Sequence, residues 1–310
     1  MADITCLGIL VADLVGKPVD EFPGRGKLTL VDHLELHSGG CAANTGVSLA
    51  RIGIDTGIIG KVGNDGLGDF MVGVLTKNGI DPRGVVRDPK VGTSGTMVMV
   101  HGDGERSFIH YLGANAALTE ADVDYDLIKG SKILHVAGSF LMPAFDGEPT
   151  ANVLKKAQGM GITTSLDTAW DGKGRWMSVL EPCLQYVDYA VPSIEEARMC
   201  TGKHDPADVA KVLMDHGVKV VGLKMGEDGC YIRSADEEIR IPRYNVSAVD
   251  ALGAGDAFAA GFLTGVLKGW DLEKTGRFAN AVGALCVMAL GATTGIKSLD
   301  ETLAFMAANS

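Results

Sequence analysis

Short runs rich in Val, Ile and Leu alternate along this chain with longer segments whose apolar residues recur every three to four positions. Runs at 4–10, 56–60, 132–137, 163–167, 186–191 and 218–224 read as strands. Helices are predicted at 42–52, 68–78, 151–158, Ile194–Thr201 and 208–216, with two long ones following Gly253. Strands alternating with helices of this length build βαβ units, hence a parallel-dominated central sheet flanked by helices on both faces. Ligands in such sheets lie at the carboxyl ends of the strands.

Two stretches break the alternation. Residues 27–37 and 96–111 read as strands without helices, the second a hairpin turning at 102–105. They predict a small antiparallel β-lid, inserted at about 15–38 and 91–112 into one domain that spans 1–310. Because a small sheet cannot hide its own inner face, the lid is expected to cover a substrate or to form a homodimer contact. The pattern holds no fixed-period repeat and no Pro-rich linker.

Composition narrows the class. The chain is 46% hydrophobic with a net charge of −11, which argues against an extended nucleic-acid surface. No apolar run reaches the roughly 18 residues that a membrane span needs. The start has Asp3 where a secretory leader would be basic. Six scattered cysteines lack zinc-finger or CxxC spacing and suit the reduced thiols of a cytoplasmic protein.

The most specific chemistry lies in residues 249–264, VDALGAGDAFAAGFLT. Gly253, Ala254 and Gly255 leave an open turn before a helix of small and apolar residues. A helix start of this kind binds anions, since its first N–H groups have no partner within the helix and its dipole favours negative charge. Asp256 stands at the edge of that site. The helix dipole alone would favour an acid there, but it would not call for two glycines in three positions. The combination suggests amides that stabilise a transferring phosphoryl group and an Asp that takes a proton from an attacking hydroxyl.

Other signals are weaker. Gly39 and Gly40 precede a helix carrying Asn44, whose amide is both donor and acceptor, as a sugar requires; close helix–strand packing would also explain the glycines. Asp13, placed four residues beyond the likely strand end at Ile9, could accept hydrogen bonds from vicinal hydroxyls, or could be a solvated loop residue. Lys224, Gly226 and Gly229 close an apolar strand before another, CYI, and could border a nucleotide or make a plain hairpin. His33, Glu35 and His37 share a strand face, but without a fourth ligand a solvated face is favoured over a metal site. Gly291, Gly295, Lys297 and Ser298 lack P-loop spacing, and Gly8 has no GxGxxG companions.

These residues resemble the ribokinase-like (PfkB) carbohydrate kinases over essentially the whole chain. Gly39, Gly40, Asn44, Gly63, Asp65 and Gly68 match that family's early signature, and 250–256 its late one, Asp-Thr-x-Gly-Ala-Gly-Asp. The resemblance implies a ribokinase-like fold and an ATP- and Mg2+-dependent kinase acting on the primary hydroxyl of a small sugar. It implies Asp256 as catalytic base, with Gly253, Ala254 and Gly255 as the anion hole. Asp13, Gly39, Gly40 and Asn44 become sugar contacts; Lys224, Gly226, Gly229 and Asn280 become nucleotide contacts. Glu196 is expected to place magnesium through water, and Asp250 to border a K+ site. Three positions depart from the family pattern: Ser193 for Asn, Ala251 for Thr, and Ala169 in what is usually Asp-Pro-Asn. A nucleoside kinase of the same fold and a non-catalytic sugar or nucleotide sensor are the alternatives.

Overall fold

The computed structural model describes residues 2–103 and 105–309. The first half contains β1 (Ile4–Gly8), β2 (Val11–Lys17), β3 (His33–Gly39), α1 (Cys41–Ile52), β4 (Thr56–Gly63), α2 (Gly66–Lys77), β5 (Val85–Asp88), β6 (Gly95–Val100), β7 (Arg106–Tyr111), α3 (Tyr125–Lys129), β8 (Ile133–Ser139) and α4 (Glu148–Gly159). The second contains β9 (Thr163–Thr168), α5 (Met177–Leu184), β10 (Tyr189–Ala190), α6 (Ile194–Thr201), α7 (Pro206–Asp215), β11 (Val220–Lys224), β12 (Cys230–Arg233), β13 (Glu238–Ile241), α8 (Ala254–Lys268), α9 (Leu272–Val287) and α10 (Leu299–Ala308).

Among the described residues the main sheet has nine strands in the order β13-β12-β11-β10-β9-β8-β1-β4-β5. It is parallel from β5 to β11, and the last two strands are antiparallel. Alternation along β1 divides the core: Ile4 and Cys6 pack with residues of α1, α8 and α9, while Leu7 packs on the opposite side with residues of α4 and α5. Strand order reverses at β1, whose neighbours β4 and β8 lie on either side. This makes its carboxyl end the crevice where α/β ligands bind.

A second sheet, β3-β2-β6-β7, projects beyond that crevice. Its β2–β3 and β6–β7 pairs are antiparallel, and β2 joins β6 in parallel. The lid starts earlier than expected. Asp13 is not on a loop but inside β2, which leaves the main sheet directly after β1. Residues 27–32 are not a strand: Leu28 and Leu30 are 84% and 83% exposed, an apolar alternation with no neighbouring strand to pair with. The hairpin between β6 and β7 turns where expected, although residue 104 within it lies outside the described residues.

The two faces of the lid differ. On one, Leu14 pairs with Leu36 and Met97, and Met97 with Ile109, making an apolar row across all four strands. These side chains remain 37% to 51% exposed. On the other face lie Asp13, His37, Thr96 and His110, in register with one another.

Candidate active site

Two helix starts meet over the carboxyl end of β1. At α8, Gly253 adopts φ 76° and a Cβ there would lie 2.5 Å from the Ala292 carbonyl, so the turn admits only glycine. The Ala254 N–H returns to Ala251 O at 3.3 Å, which leaves the following amides of Gly255 and Asp256 without a partner in the helix. At Gly255 a Cβ would stand 3.4 Å from Lys224 Nζ, so the missing side chain gives the lysine room beside the turn.

Asp256 projects from the first turn of α8 towards α1. Asn44 Nδ2 donates to its carboxylate at 2.8 Å, and the Thr45 hydroxyl approaches its carbonyl at 3.4 Å. Protein packed around the carboxyl raises it above the usual carboxylate range, against the hydrogen bond from Asn44 and the nearby Lys224 charge. Asn44 Oδ1 is buried and has no hydrogen-bond partner among the described residues. A buried acceptor left open costs free energy unless something fills it, and a ligand hydroxyl is a suitable donor.

Asp13 is the second carboxylate of this end. Burial lifts it to about 6, although Thr96 hydrogen-bonds it and His37 lies near. Gly39 explains how the group is housed: a Cβ there would sit 2.0 Å from Asp13 Oδ2. At Gly40, φ 89°, a Cβ would strike the Ile9 carbonyl at 2.5 Å. The two glycines therefore serve first to seat Asp13 and to let α1 start against the end of β1. His37 pairs with Glu35 at 3.0 Å, and no group of three or more potential metal ligands gathers anywhere among the described residues.

Below the turn lies a buried ion pair that the sequence did not reveal. Lys224 Nζ donates to both Asp167 oxygens, at 2.8 and 2.6 Å. Burial works against the ammonium, but the carboxylates of Asp167 and Glu196 outweigh it and hold Lys224 above its ordinary value. Thr168, next to Asp167, donates its hydroxyl to Glu196 at 2.8 Å. The Ser193 hydroxyl accepts from the Glu196 N–H at 3.3 Å, capping α6.

A cleft of about 290 Å³ continues from the turn; it brings together Lys224, Gly226, Gly229 and Asn280 with Ala254 and Gly255 of the turn itself. Sequence reasoning missed Tyr244, Val246, Phe258 and Val287, which give it apolar walls. Residues 242–250 have no regular structure and hence no periodicity to read. Asn280 spends its Nδ2 on the carbonyls of Ile241 and Pro242, at 3.2 and 3.1 Å, and so holds the cleft wall in place. Asp250 is also engaged, by Arg106 of the lid and two backbone amides.

An anion-binding turn beside a buried acid, with an apolar cleft on one side and a polar lid face on the other, is the layout of a group-transfer enzyme in a ribokinase-like fold. The ribokinase of Thermotoga maritima superposes with a TM-score of 0.85 at 26% identity, covering 99% of this chain and 100% of that one. The model of the pfkB family of carbohydrate kinases matches residues 1–299, and the chain belongs to that family. It is 32% identical over 256 residues to an uncharacterized sugar kinase of Archaeoglobus fulgidus, covering 82% of this chain and 100% of that one. It is 29% identical over 281 residues to the 2-dehydro-3-deoxygluconokinase of Bacillus subtilis, covering 87% and 86%. The protein is thus a carbohydrate kinase, a phosphotransferase with an alcohol group as acceptor. No helix among the described residues is long and apolar enough to cross a membrane.

Proposed function

We propose that the chain transfers the γ-phosphoryl of ATP to the primary hydroxyl of a small neutral sugar. The observation that carries this reading is the Asn44–Asp256 hydrogen bond of 2.8 Å at the open turn of α8, with Asn44 Oδ1 buried and unfilled. Asp256 takes the proton of the acceptor hydroxyl, Asn44 fixes the carboxylate and receives a neighbouring hydroxyl, and Asp13 accepts from others. The free amides of Gly255 and Asp256, with Lys224 beside them, stabilise charge on the transferring group.

The nucleotide occupies the apolar cleft, with its base toward Asn280 and its phosphates toward Lys224; Gly226 and Gly229 leave the approach open. The donors present fit a magnesium ion carried in with the nucleotide, because such an ion keeps several waters and needs only one or two carboxylates. Glu196 is the candidate to hold it, through water, and the ion would neutralise charge between the phosphates.

A neutral acceptor is preferred because Asp13 and Asp256 are carboxylates, while His37 of the lid is paired with Glu35 and burial lowers His110 below its ordinary value. Lys224 and Arg106 are spent on Asp167 and Asp250. The apolar outer row of the lid supports a homodimer formed by two such faces.

Asp256→Asn keeps the shape and removes the base. Turnover is expected to fall about 10²- to 10⁴-fold, while ATP affinity measured by calorimetry stays the same. Turnover at the wild-type rate would rule Asp256 out as the base.

A further inference from the structure

The family resemblance implies an alkali cation beside Asp250, but the groups around that residue do not fit one. Asp250 is 4% exposed and its carboxylate already accepts three hydrogen bonds. Oδ1 accepts from Arg106 Nη2 at 2.5 Å and from Leu252 N at 2.7 Å; Oδ2 accepts from Gly291 N at 2.8 Å. Neighbouring carbonyls also meet donors. Val287 O takes the amides of Val249 and Asp250 at 2.7 and 3.1 Å. The single Cys286 S–H lies 3.1 Å from Ala292 O and 3.6 Å from Leu252 O and can donate to either. A potassium ion here would have to share Asp250 Oδ1 with the Arg106 guanidinium, which already brings a positive charge to it.

We infer that Arg106 takes over the alkali cation's role, so that the kinase works without a monovalent cation. Its guanidinium supplies the positive charge that a buried carboxylate needs. Burial alone would raise the Asp250 carboxyl, but the two amides and Arg106 outweigh it and hold the group below its ordinary range.

The source of that charge adds a second consequence. Arg106 opens β7 and is paired with Val100 of β6, the strand that carries Thr96 to Asp13. Asp250 lies just before the Gly253 turn. One ion pair therefore ties the lid strands to the loop that shapes the anion hole, and Arg106 is a positioning residue acting through Asp250. This rests on reading that turn as the phosphoryl site.

The test measures ADP release and the melting temperature of the ligand-free protein at equal ionic strength in potassium, sodium or tetramethylammonium chloride. Wild type should show the same rate and the same melting temperature in all three. Arg106→Gln should lower kcat about 10- to 100-fold, the worth of a charged hydrogen bond, with the acceptor KM little changed. Potassium or millimolar guanidinium should restore much of that loss, and potassium alone among the three salts should raise the variant's melting temperature. Arg106→Lys should retain more activity than Arg106→Gln. Potassium activation of the wild type would overturn the inference. So would an Arg106→Gln variant equal to wild type in every salt, or one that neither potassium nor guanidinium rescues. The melting data remain readable even if no sugar yields ADP, so failure here is distinguishable from failure of the kinase reading.

Discussion

The two ends of the cleft are built from different materials. At the acceptor end, Asp13, Asn44, Thr96 and Asp256 are side chains held by one another over a floor of glycines. At the nucleotide end, Ala251, Ala254, Phe258 and Val287 make walls. Two of its polar residues, Lys224 and Asn280, are fixed to Asp167 and to backbone. A site built to hydrogen-bond a hydroxyl discriminates sharply, because an analogue lacking it leaves buried groups unpaired. An apolar slot tolerates small changes in shape. On the proposed reading, identity is therefore read at the acceptor end, and the donor is mainly positioned at the other.

Lys224 joins the two ends, and among the changes that probe the contrast between them its loss should have the largest effect. Lys224→Met is expected to lower kcat by about 10²- to 10³-fold, the usual worth of a group that stabilises developing charge. It should also destabilise the fold by about 3–5 kcal/mol, since Asp167 is left buried without its partner. Adding Asp167→Asn should restore the melting temperature but not the turnover; recovery of both would mean that Lys224 only neutralises Asp167.

Asn44→Ala strikes the acceptor end alone. It should lower kcat/KM for the sugar by about 10- to 100-fold through the lost charged hydrogen bond and leave ATP affinity, measured by calorimetry, unchanged. A matching loss of ATP affinity would break the division between the ends.

Acid should do the same more gently. Asp13, with its carboxyl near 6, loses its charge as pH falls through that value, so kcat/KM for the sugar should decline below pH about 6. Asp13→Asn should abolish that limb of the profile. For stability the sign is opposite. The native chain holds this proton more tightly than the unfolded chain, whose ordinary value is 3.8, so the residue's cost is absent well below that and full above about 6.

What the sequence made legible follows the same contrast. The parallel sheet could be read because strands buried on both faces are continuous apolar runs, and α6 falls at Ile194–Thr201 as predicted. The Gly253 turn was readable because its chemistry is contiguous. At the acceptor end single residues could be named but not their pairing, since Asn44 and Asp256 are 212 residues apart and Arg106 and Asp250 are 144 apart. Asp13 was misplaced because apolar residues continue from β1 through Ile9 and Leu10 into β2, which hides the point where the chain changes sheets. Pro182 interrupts α5 and obscured it. By contrast, α10 was legible and overlooked: Ser298 and Glu301 form a capping box at its start.

The central claim is that this is a working kinase whose acceptor end selects a neutral sugar. The most direct measurement is ADP release by the wild-type protein with ATP and magnesium, across neutral sugars, sugar acids and nucleosides, alongside thermal shifts with the same compounds. The account predicts ADP only when an acceptor is present, with a neutral sugar giving the highest kcat/KM. Thermal shifts without ADP would make the protein a sensor, and highest turnover with a sugar acid or a nucleoside would contradict the account of the acceptor end.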